Sequence, residues 1–151
     1  MGISLSDDEV WAFLAQEEVG ILTTLRADGM PVPVPVWFAA DRPRIYVAGP
    51  PATAKFRRVR RDPRVAFLIE TGRRWVELKA VMIHGTARLV ADPDWTRVDD
   101  LLGHKYAALR GQPTEQPESA KRRYAERALL AITPERVVSW DNARLRPPSA
   151  G

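Results

Sequence analysis

The segment Ile45–Leu68, IYVAGPPATAKFRRVRRDPRVAFL, decides the fold of this 151-residue chain. Its pattern predicts a strand over 45–47, a Gly-Pro-Pro break, a short helix opened by Thr53, and another strand from Val65. The ten residues 55–64 carry six positive charges and one negative charge. Because the formal net charge of the whole chain is +4, the remaining residues together sum to about −1. The positive charge is therefore concentrated on one helix.

The start of this helix is the predicted anion site. A helix N-terminus exposes backbone N–H groups and carries a partial positive charge, so it attracts phosphate. Lys55 and Thr53 add an ammonium and a hydroxyl that can converge on one phosphate, with Arg57 and Arg58 beside them. The pattern indicates a phosphate-bearing ligand; a solvated basic helix surface is the alternative.

The composition, with 45% apolar and 28% charged residues, predicts a single domain over 1–144 and a flexible tail over 145–151. No apolar run approaches the roughly 18 residues that span a bilayer. Acidic residues precede the first apolar ones, which is the reverse of a signal peptide. Since the chain has no cysteine, it has no disulfide, and we expect a cytoplasmic protein with no membrane partner.

Metals and nucleic acids are not the expected ligands. The two histidines, His84 and His104, lie far apart in sequence, so no metal site is predicted. The net positive charge raises nucleic acid as a partner. We do not favour it, because the cations concentrate in one short segment.

The order of the elements predicts a mainly β fold. A capping box of Ser6 and Glu9 opens a first helix that runs to about Gln16. Turn signals separate six expected strands, over Gly20–Leu25, Met30–Phe38, Arg44–Ala48, Arg64–Thr71, Trp75–Val90 and Glu135–Trp140. Helices are expected over Pro93–Arg110 and Ala120–Leu130, with a loop over Gly111–Ser119 between them. Six sequential antiparallel strands with a few helices favour a small barrel.

Two of these strands have unusual patterns. In the long strand Trp75–Val90, the apolar positions are even before Ala80 and odd after it, which predicts a bulge or a barrel corner. In the other, Pro31, Pro33 and Pro35 remove three N–H donors from the same side of the strand. That side is either a protected edge or a seam where a ligand or a second subunit sits.

No catalytic motif of a known type is present, so we predict no obligatory protein nucleophile and a bound cofactor that supplies the reactivity. Trp37 and Trp75 could border a planar ring, although a core or interface role is the alternative. Glu77 and Lys79 lie on the same face as Trp75 and are candidates for contact with a second chain. His84, within a strand, is interpreted as structural.

The succession GILTTLRADGMPVPVPVWF, IYVAGPPATAKFRRVRRDPRVAFLIE, WVELKAVMIHGTARLV and ITPERVVSW resembles the pyridoxamine 5′-phosphate oxidase-like split barrels, above all their flavin/deazaflavin oxidoreductase branch. The resemblance covers roughly residues 19–140. It implies a six-stranded antiparallel split barrel of the FMN-binding type, a homodimer, and two cofactor sites at the dimer interface.

The resemblance also implies roles for individual residues. Thr53, Lys55 and the neighbouring arginines match the phosphate-binding position, although family members commonly have Asn where this chain has Arg58. The other implied cofactor contacts fall into three groups. Pro35, Val36 and Trp37 lie beside the ring, and Ala48 and Gly49 end the strand before the Pro-Pro break. Trp75, Glu77 and Lys79 lie on a strand that reaches across the dimer.

Family members use FMN or the deazaflavin coenzyme F-420, and some bind haem or other tetrapyrroles. We favour F-420, because its oligoglutamate tail adds carboxylates that the surplus arginines could meet; FMN is the alternative. The implied activity is hydride transfer between the cofactor and a small organic substrate, with substrate contacts from the loop Gly111–Ser119. The other hypotheses are a carrier that binds such a cofactor or a tetrapyrrole without turnover, and an anion-binding module.

Overall fold

The computed structural model describes residues 2–109, 118–123 and 125–145. Its helices are α1 (Asp7–Gln16), α2 (Ala54–Arg61), α3 (Trp95–Tyr106) and α4 (Glu118–Arg123). Its strands are β1 (Gly20–Leu25), β2 (Pro31–Val36), β3 (Ala39–Asp41), β4 (Arg44–Gly49), β5 (Arg64–Thr71), β6 (Lys79–Leu89) and β7 (Ala128–Asp141). Single 3-10 turns occupy Trp75–Glu77 and Asn142–Leu145. Within these ranges, no helix has the length and hydropathy needed to cross a membrane.

The seven strands form one antiparallel sheet in the order β2-β1-β5-β6-β7-β4-β3. The sheet curls around a single core, since Val36 near one edge and Ile45 near the other belong to the same buried cluster. The predicted fold class is confirmed. The number of strands is seven instead of six, because the chain leaves β2 at Trp37 and forms the additional edge strand β3 against β4.

The core is filled by the inward residues of the strands and closed by two helices. Phe56 and Val59 of α2 are buried in it, as are Phe13 and Leu14 of α1. Gly20 on β1 is required here, because a Cβ atom at this position would lie 2.2 Å from the buried ring of Phe67. Because Phe56 and Val59 are buried in the core, α2 and its basic residues are held against the barrel.

The predicted long strand Trp75–Val90 is wrong in its first part. Residues 75–77 form a 3-10 turn, and β6 begins only at Lys79. Gly72, with φ of 99°, allows the tight approach of this turn, since a Cβ there would lie 2.3 Å from the Glu77 carbonyl oxygen. The switch of the apolar residues from even to odd positions near Ala80 therefore marks the end of a helical turn and the start of the strand. The register shift of the β6–β7 pair lies further along, between His84 and Gly85.

The last strand was predicted too short and the helix before it too long. The expected helix over 120–130 ends at Arg123, and β7 runs over Ala128–Asp141 instead of starting at Glu135. The apolar run 128–132 pairs with β4 on one side and β6 on the other. A short buried strand and a buried helix segment cannot be separated by periodicity alone, and this explains the error. Residues 111–117 of the predicted loop and 146–151 of the predicted tail lie outside the described residues.

The proline strand β2 lies at the edge of the sheet and pairs only with β1. Because Pro31, Pro33 and Pro35 have no N–H, the ladder to β1 takes its β2 donors from the intervening valines. At the three prolines, the outer edge of β2 therefore presents carbonyl oxygens and no donors. The predicted protected edge is confirmed, while a ligand or subunit at this edge stays a prediction.

Candidate functional site

The structure brings three of the predicted cofactor-binding residues together. The Nζ atom of Lys55 lies 3.5 Å from Oγ1 of Thr53 and 5.4 Å from the centre of the Phe56 ring. A Cβ atom at Gly49 would lie 3.5 Å from the same Nζ. The glycine at the end of β4 therefore leaves room beside the ammonium, and the residues fit a phosphate in both charge and hydrogen-bonding capacity. Ala48, next to Gly49, is half-buried and pairs with Leu129.

Among the residues that the structure describes, no side chain caps the start of α2. Its N-cap hydroxyl, on Thr53, donates to the carbonyl oxygen of Pro50 over 2.9 Å instead of capping the helix, and the first turn contains no acidic residue. The start of α1 is the opposite case, since Ser6 caps it and three acidic residues follow. The N-terminus of α2 therefore keeps its attraction for an external anion.

The arginines of the basic segment divide into two groups. Arg61 donates to the carbonyl oxygen of Leu25 over 2.7 Å, and Arg64 forms a two-point ion pair with Asp62. Hydrogen bonds from Arg64 lower the pKa of Asp62 to about 2. Arg57 and Arg58 make no ion pair with any residue that the structure describes. Arg57 and Arg58, which lie close to Lys55 in sequence, are therefore candidates for contact with a ligand.

Trp37 follows β2 directly and provides a flat aromatic surface. One face of its ring stacks on Tyr106, with centroids 4.2 Å apart and an interplanar angle of 4°. The residue is nevertheless 44% exposed, which leaves the other face accessible. Pro35 is exposed and Val36 is buried, so Trp37 is the residue of this trio that could contact a planar ring over a large area.

Three further predicted residues make contacts elsewhere in the chain. Trp75 is 64% exposed on its 3-10 turn, where its carbonyl oxygen accepts a hydrogen bond from Asn142. Glu77 forms an ion pair with Arg74. The Nζ atom of Lys79 lies 4.5 Å from the centre of the Phe13 ring. Glu77 and Lys79 are thus engaged within their own subunit, and their contact with a cofactor or a second chain stays a prediction.

One row of apolar side chains crosses the face of the sheet opposite the core. The strand registers place Pro35, Ile21, Leu68, Met82 and Val138 side by side across β2, β1, β5, β6 and β7. We call these five residues the outer apolar row. The outer face of an antiparallel sheet is commonly polar, so an apolar row on it favours a covering layer.

The sequence of this chain matches the family model described as pyridoxamine 5′-phosphate oxidase over residues 6–141. The match spans all seven strands and the site around α2. The chain belongs to this family. The resemblance stated from the sequence is therefore confirmed, and the sheet described above is the split barrel of the pyridoxamine 5′-phosphate oxidase family.

Solved structures with this fold differ in what they bind. The conserved hypothetical protein Rv2991 of Mycobacterium tuberculosis is 27% identical, with a TM-score of 0.81, over 99% of this chain and 92% of that one. An F420 reductase is 23% identical, with a TM-score of 0.65, over 84% and 94% of the two chains. The haem storage protein HutZ of Vibrio cholerae is 16% identical, with a TM-score of 0.67, over 93% and 96%. The last two likenesses establish the shared fold alone.

Tyr106 is a residue of this pyridoxamine 5′-phosphate oxidase family member that sequence reasoning missed. Its hydroxyl accepts a hydrogen bond from the Phe38 N–H at 2.9 Å and donates to the carbonyl oxygen of Glu18 at 2.7 Å. The residue is fully buried, and its ring supports Trp37. An aromatic residue in the last turn of α3 was the only local signal, and its partners lie 68 and 88 positions away.

Lys105, beside Tyr106, joins the same contact between α3 and α1. Its Nζ atom donates to the carbonyl oxygen of Leu14 over 3.0 Å and lies 3.3 Å from the centre of the Phe38 ring. The last turn of α1 has no basic residue of its own, so Lys105 supplies the cation that its C-terminal carbonyl groups favour. Burial lowers the pKa of Lys105 to about 8.

The buried tyrosine predicts a loss of stability at alkaline pH. Burial raises the pKa of Tyr106 to about 12, from an ordinary value near 10. The unfolded chain therefore releases this proton first, and the stabilising contribution is full below about pH 10 and lost between about pH 10 and 12. We expect the free energy of unfolding to fall by about 3 kcal/mol more over this range in the wild type than in Tyr106→Phe. Urea unfolding at pH 9, 10 and 11 measures about half of this difference, because pH 11 lies midway between the two pKa values. Parallel pH profiles would contradict the assignment.

Within the described ranges, no group of three or more His, Asp or Glu residues is arranged to hold a metal ion. The candidate site of this family member consists of three parts: the start of α2, the open face of Trp37 and the outer side of the sheet.

Proposed function

We propose that this chain is a homodimeric oxidoreductase that binds the deazaflavin coenzyme F-420, with FMN as the alternative. The bound cofactor would supply hydride transfer to or from a small organic substrate. The observation that carries the proposal is the convergence of Gly49, Thr53 and Lys55 at the uncapped start of α2. A cytoplasmic location, supported by the absence of cysteine, is part of the proposal, as is the absence of membrane and nucleic-acid partners.

The charges around the site support F-420 over FMN. Lys55 and Thr53 are sufficient to hold one phosphate, whereas Arg57 and Arg58 add two cations without ion-pair partners in the described chain. A phosphate with an oligoglutamate tail would engage these cations, while a phosphate alone would leave them in water. Arg58, which stands where family members commonly have Asn, is the residue expected to distinguish the two cofactors.

Trp37 and the outer edge of β2 are proposed to receive the ring. The accessible face of Trp37 offers stacking area, and its orientation is fixed from behind by Tyr106. The carbonyl oxygens of Pro33 and Pro35 form an edge that accepts hydrogen bonds and donates none. A heterocycle with an N–H group fits such an edge, while another β-strand would lack half of its usual partners.

The outer apolar row supports the homodimer. Its five side chains lie across five strands on the side away from the core, and a second copy of the same row would cover them by two-fold symmetry. Trp75, which is 64% exposed, extends the apolar surface available to a partner. We retain Trp75, Glu77 and Lys79 as proposed contacts across this interface. The partner would then complete the cofactor site.

The decisive experiment is titration of the protein with F-420 and with FMN, followed by fluorescence and repeated with Lys55→Met. We expect F-420 to bind more tightly, and the variant to lose about 10- to 100-fold in affinity, because one charge-assisted phosphate contact contributes about 1.5 to 3 kcal/mol. Arg60→Gln is the matched control, since it removes an exposed charge from the same helix without touching the Gly49–Lys55 group. Equal losses in both variants would reduce the site to a general basic surface, and binding of neither cofactor would refute the proposal.

A carrier of haem or another tetrapyrrole is the second candidate. The observation in its favour is His84, which is exposed on the outer face of β6 opposite Ala66 and Arg136. An imidazole on that face could ligate the iron of a haem held between two subunits. Titration with haemin, followed by the Soret band in wild type and His84→Ala, tests this function. Tight haem binding that depends on His84, without reductase activity towards F-420, would favour the carrier.

A further inference from the structure

A second pocket lies between α1, β3 and α3, outside the proposed cofactor site. Its volume is about 500 Å³, which is within the range of small-molecule sites. It is lined by small apolar residues on one side and by one face of α3 on the other: Ala15, Ala39 and Ala40, then Asp100, Leu101, His104 and Lys105. It shares no residue with the Gly49–Lys55 group or with the outer apolar row.

Lys105 brings a positive charge into this pocket without a carboxylate in contact. Its Nζ atom lies nearest to the carbonyl oxygen of Leu14 at 3.0 Å and the Phe38 ring at 3.3 Å, with the Tyr106 ring further away at 5.5 Å. These groups attract a cation, but none of them carries a full negative charge. Glu17 and Glu18 act on Lys105 only through space, and no residue in the described part of the chain forms an ion pair with it. A half-buried ammonium in this position gains from an anionic partner.

The ammonium group of Lys105 retains donor capacity for such a partner. It has three N–H donors, of which one bonds the Leu14 carbonyl oxygen, while the Phe38 ring lies against the group. The remaining donors have no hydrogen-bond acceptor among the described contacts of the residue, and the side chain lines the pocket. The opposite wall consists of alanines, which offer an apolar surface and no competing polar group.

We propose that this pocket binds a small monocarboxylate with an apolar body. The carboxylate accepts a hydrogen bond from Lys105, and the body packs against Ala39, Ala40 and Leu101. Two exposed residues stand at the rim. Asp100 opposes any anion, so it limits affinity and disfavours dicarboxylates, and His104 stands beside it at the rim. Lys105 is adjacent in the chain to Tyr106, which supports Trp37, so an occupant of the pocket would lie near the proposed ring site.

Benzoate and its neutral analogue benzamide are the probes, added to the protein in the absence of any cofactor. Binding is followed by NMR of the alanine methyl groups. We expect the methyl chemical shifts of Ala39 and Ala40 to change saturably with benzoate. The dissociation constant of benzamide should be at least about tenfold higher, because benzamide cannot form the charge-assisted hydrogen bond. Lys105→Met should weaken benzoate by a similar factor, whereas Asp100→Asn should tighten it several-fold.

Lys79→Met is the matched control, because Lys79 is also a half-buried lysine against a phenylalanine ring but lies outside the pocket. It should bind benzoate as the wild type does. In the wild type, saturating benzoate should also raise the pKa of Lys105. NMR titration of the chemical shift of the Lys105 ε-carbon measures this pKa and tests the contact without any substitution. Equal binding of benzoate and benzamide, or an unchanged pKa of Lys105, would overturn the proposal. Because no F-420 or FMN is present, these results are independent of the proposed function.

Discussion

Tyr106→Phe is expected to lower the free energy of unfolding by about 2 to 4 kcal/mol. The substitution keeps the ring that stacks on Trp37 and removes only the hydroxyl. Two backbone groups then lose their partner, the Phe38 N–H and the Glu18 carbonyl oxygen. Because Tyr106 and Phe38 are fully buried, water cannot reach the Phe38 N–H without opening the packing around α3, and an unsatisfied buried group costs about 1 to 3 kcal/mol. The carbonyl of Glu18 belongs to an exposed residue, so loss of that bond adds only about 1 kcal/mol.

Urea unfolding at pH 7 gives this difference directly. Tyr46→Phe is the matched control, because Tyr46 is half-buried on β4 and its hydroxyl has no hydrogen bond with any residue that the structure describes. We expect a change of less than about 0.5 kcal/mol for the control. A similar cost in the two variants would mean that the Tyr106 hydroxyl has no special structural role. A smaller cost at Tyr106 than at Tyr46 would contradict its hydrogen bonds altogether.

Met82→Glu is expected to convert the proposed dimer to a monomer. Met82 stands in the outer apolar row between Leu68 and Val138, so in a dimer its side chain would be covered on both sides and from above. A carboxylate there would lose its hydration without gaining a partner, which costs several kcal/mol per subunit. We expect the dimer dissociation constant to rise by at least about a hundredfold. In a monomer the same side chain remains in water, so the fold should tolerate it.

Sedimentation equilibrium over a range of protein concentrations measures the change. Thr86→Glu is the control, because Thr86 lies on the same face of β6 but beyond the row, between Arg64 and Thr133. Circular dichroism checks that both variants are folded. A dimer that persists in Met82→Glu would place the subunit interface on another surface, and a wild-type monomer would refute the homodimer.

Local patterns in the sequence were sufficient for the features that depend on neighbouring residues. The capping box of Ser6 and Glu9 is formed as predicted, and the helix after the Gly-Pro-Pro break begins at Ala54. The alternating prolines predicted an edge strand, because the missing donors are a property of the residues themselves. Gly49, Thr53 and Lys55 converge for the same reason, since they are separated by only a few positions around a tight break.

Features that depend on distant partners were not predictable in this way. Whether the apolar run 128–132 is a helix or a strand was decided by β4 and β6, which pair with it on both sides. The contacts of Glu77 and Lys79 were decided by Arg74 and by the Phe13 ring of α1. A periodic pattern specifies which side of an element is buried, but not which element buries it.

The sequence by itself thus determined the mainly β class, the basic start of α2 and the edge position of β2, because each follows from residues adjacent in the chain. Only the tertiary structure decided that Tyr106 supports Trp37, that Lys105 lines a pocket without an ion-pair partner among the described residues, and that five apolar side chains align across the outer face. Those contacts join residues tens of positions apart. They exist only after the sheet has curled around its core and brought α3 against α1.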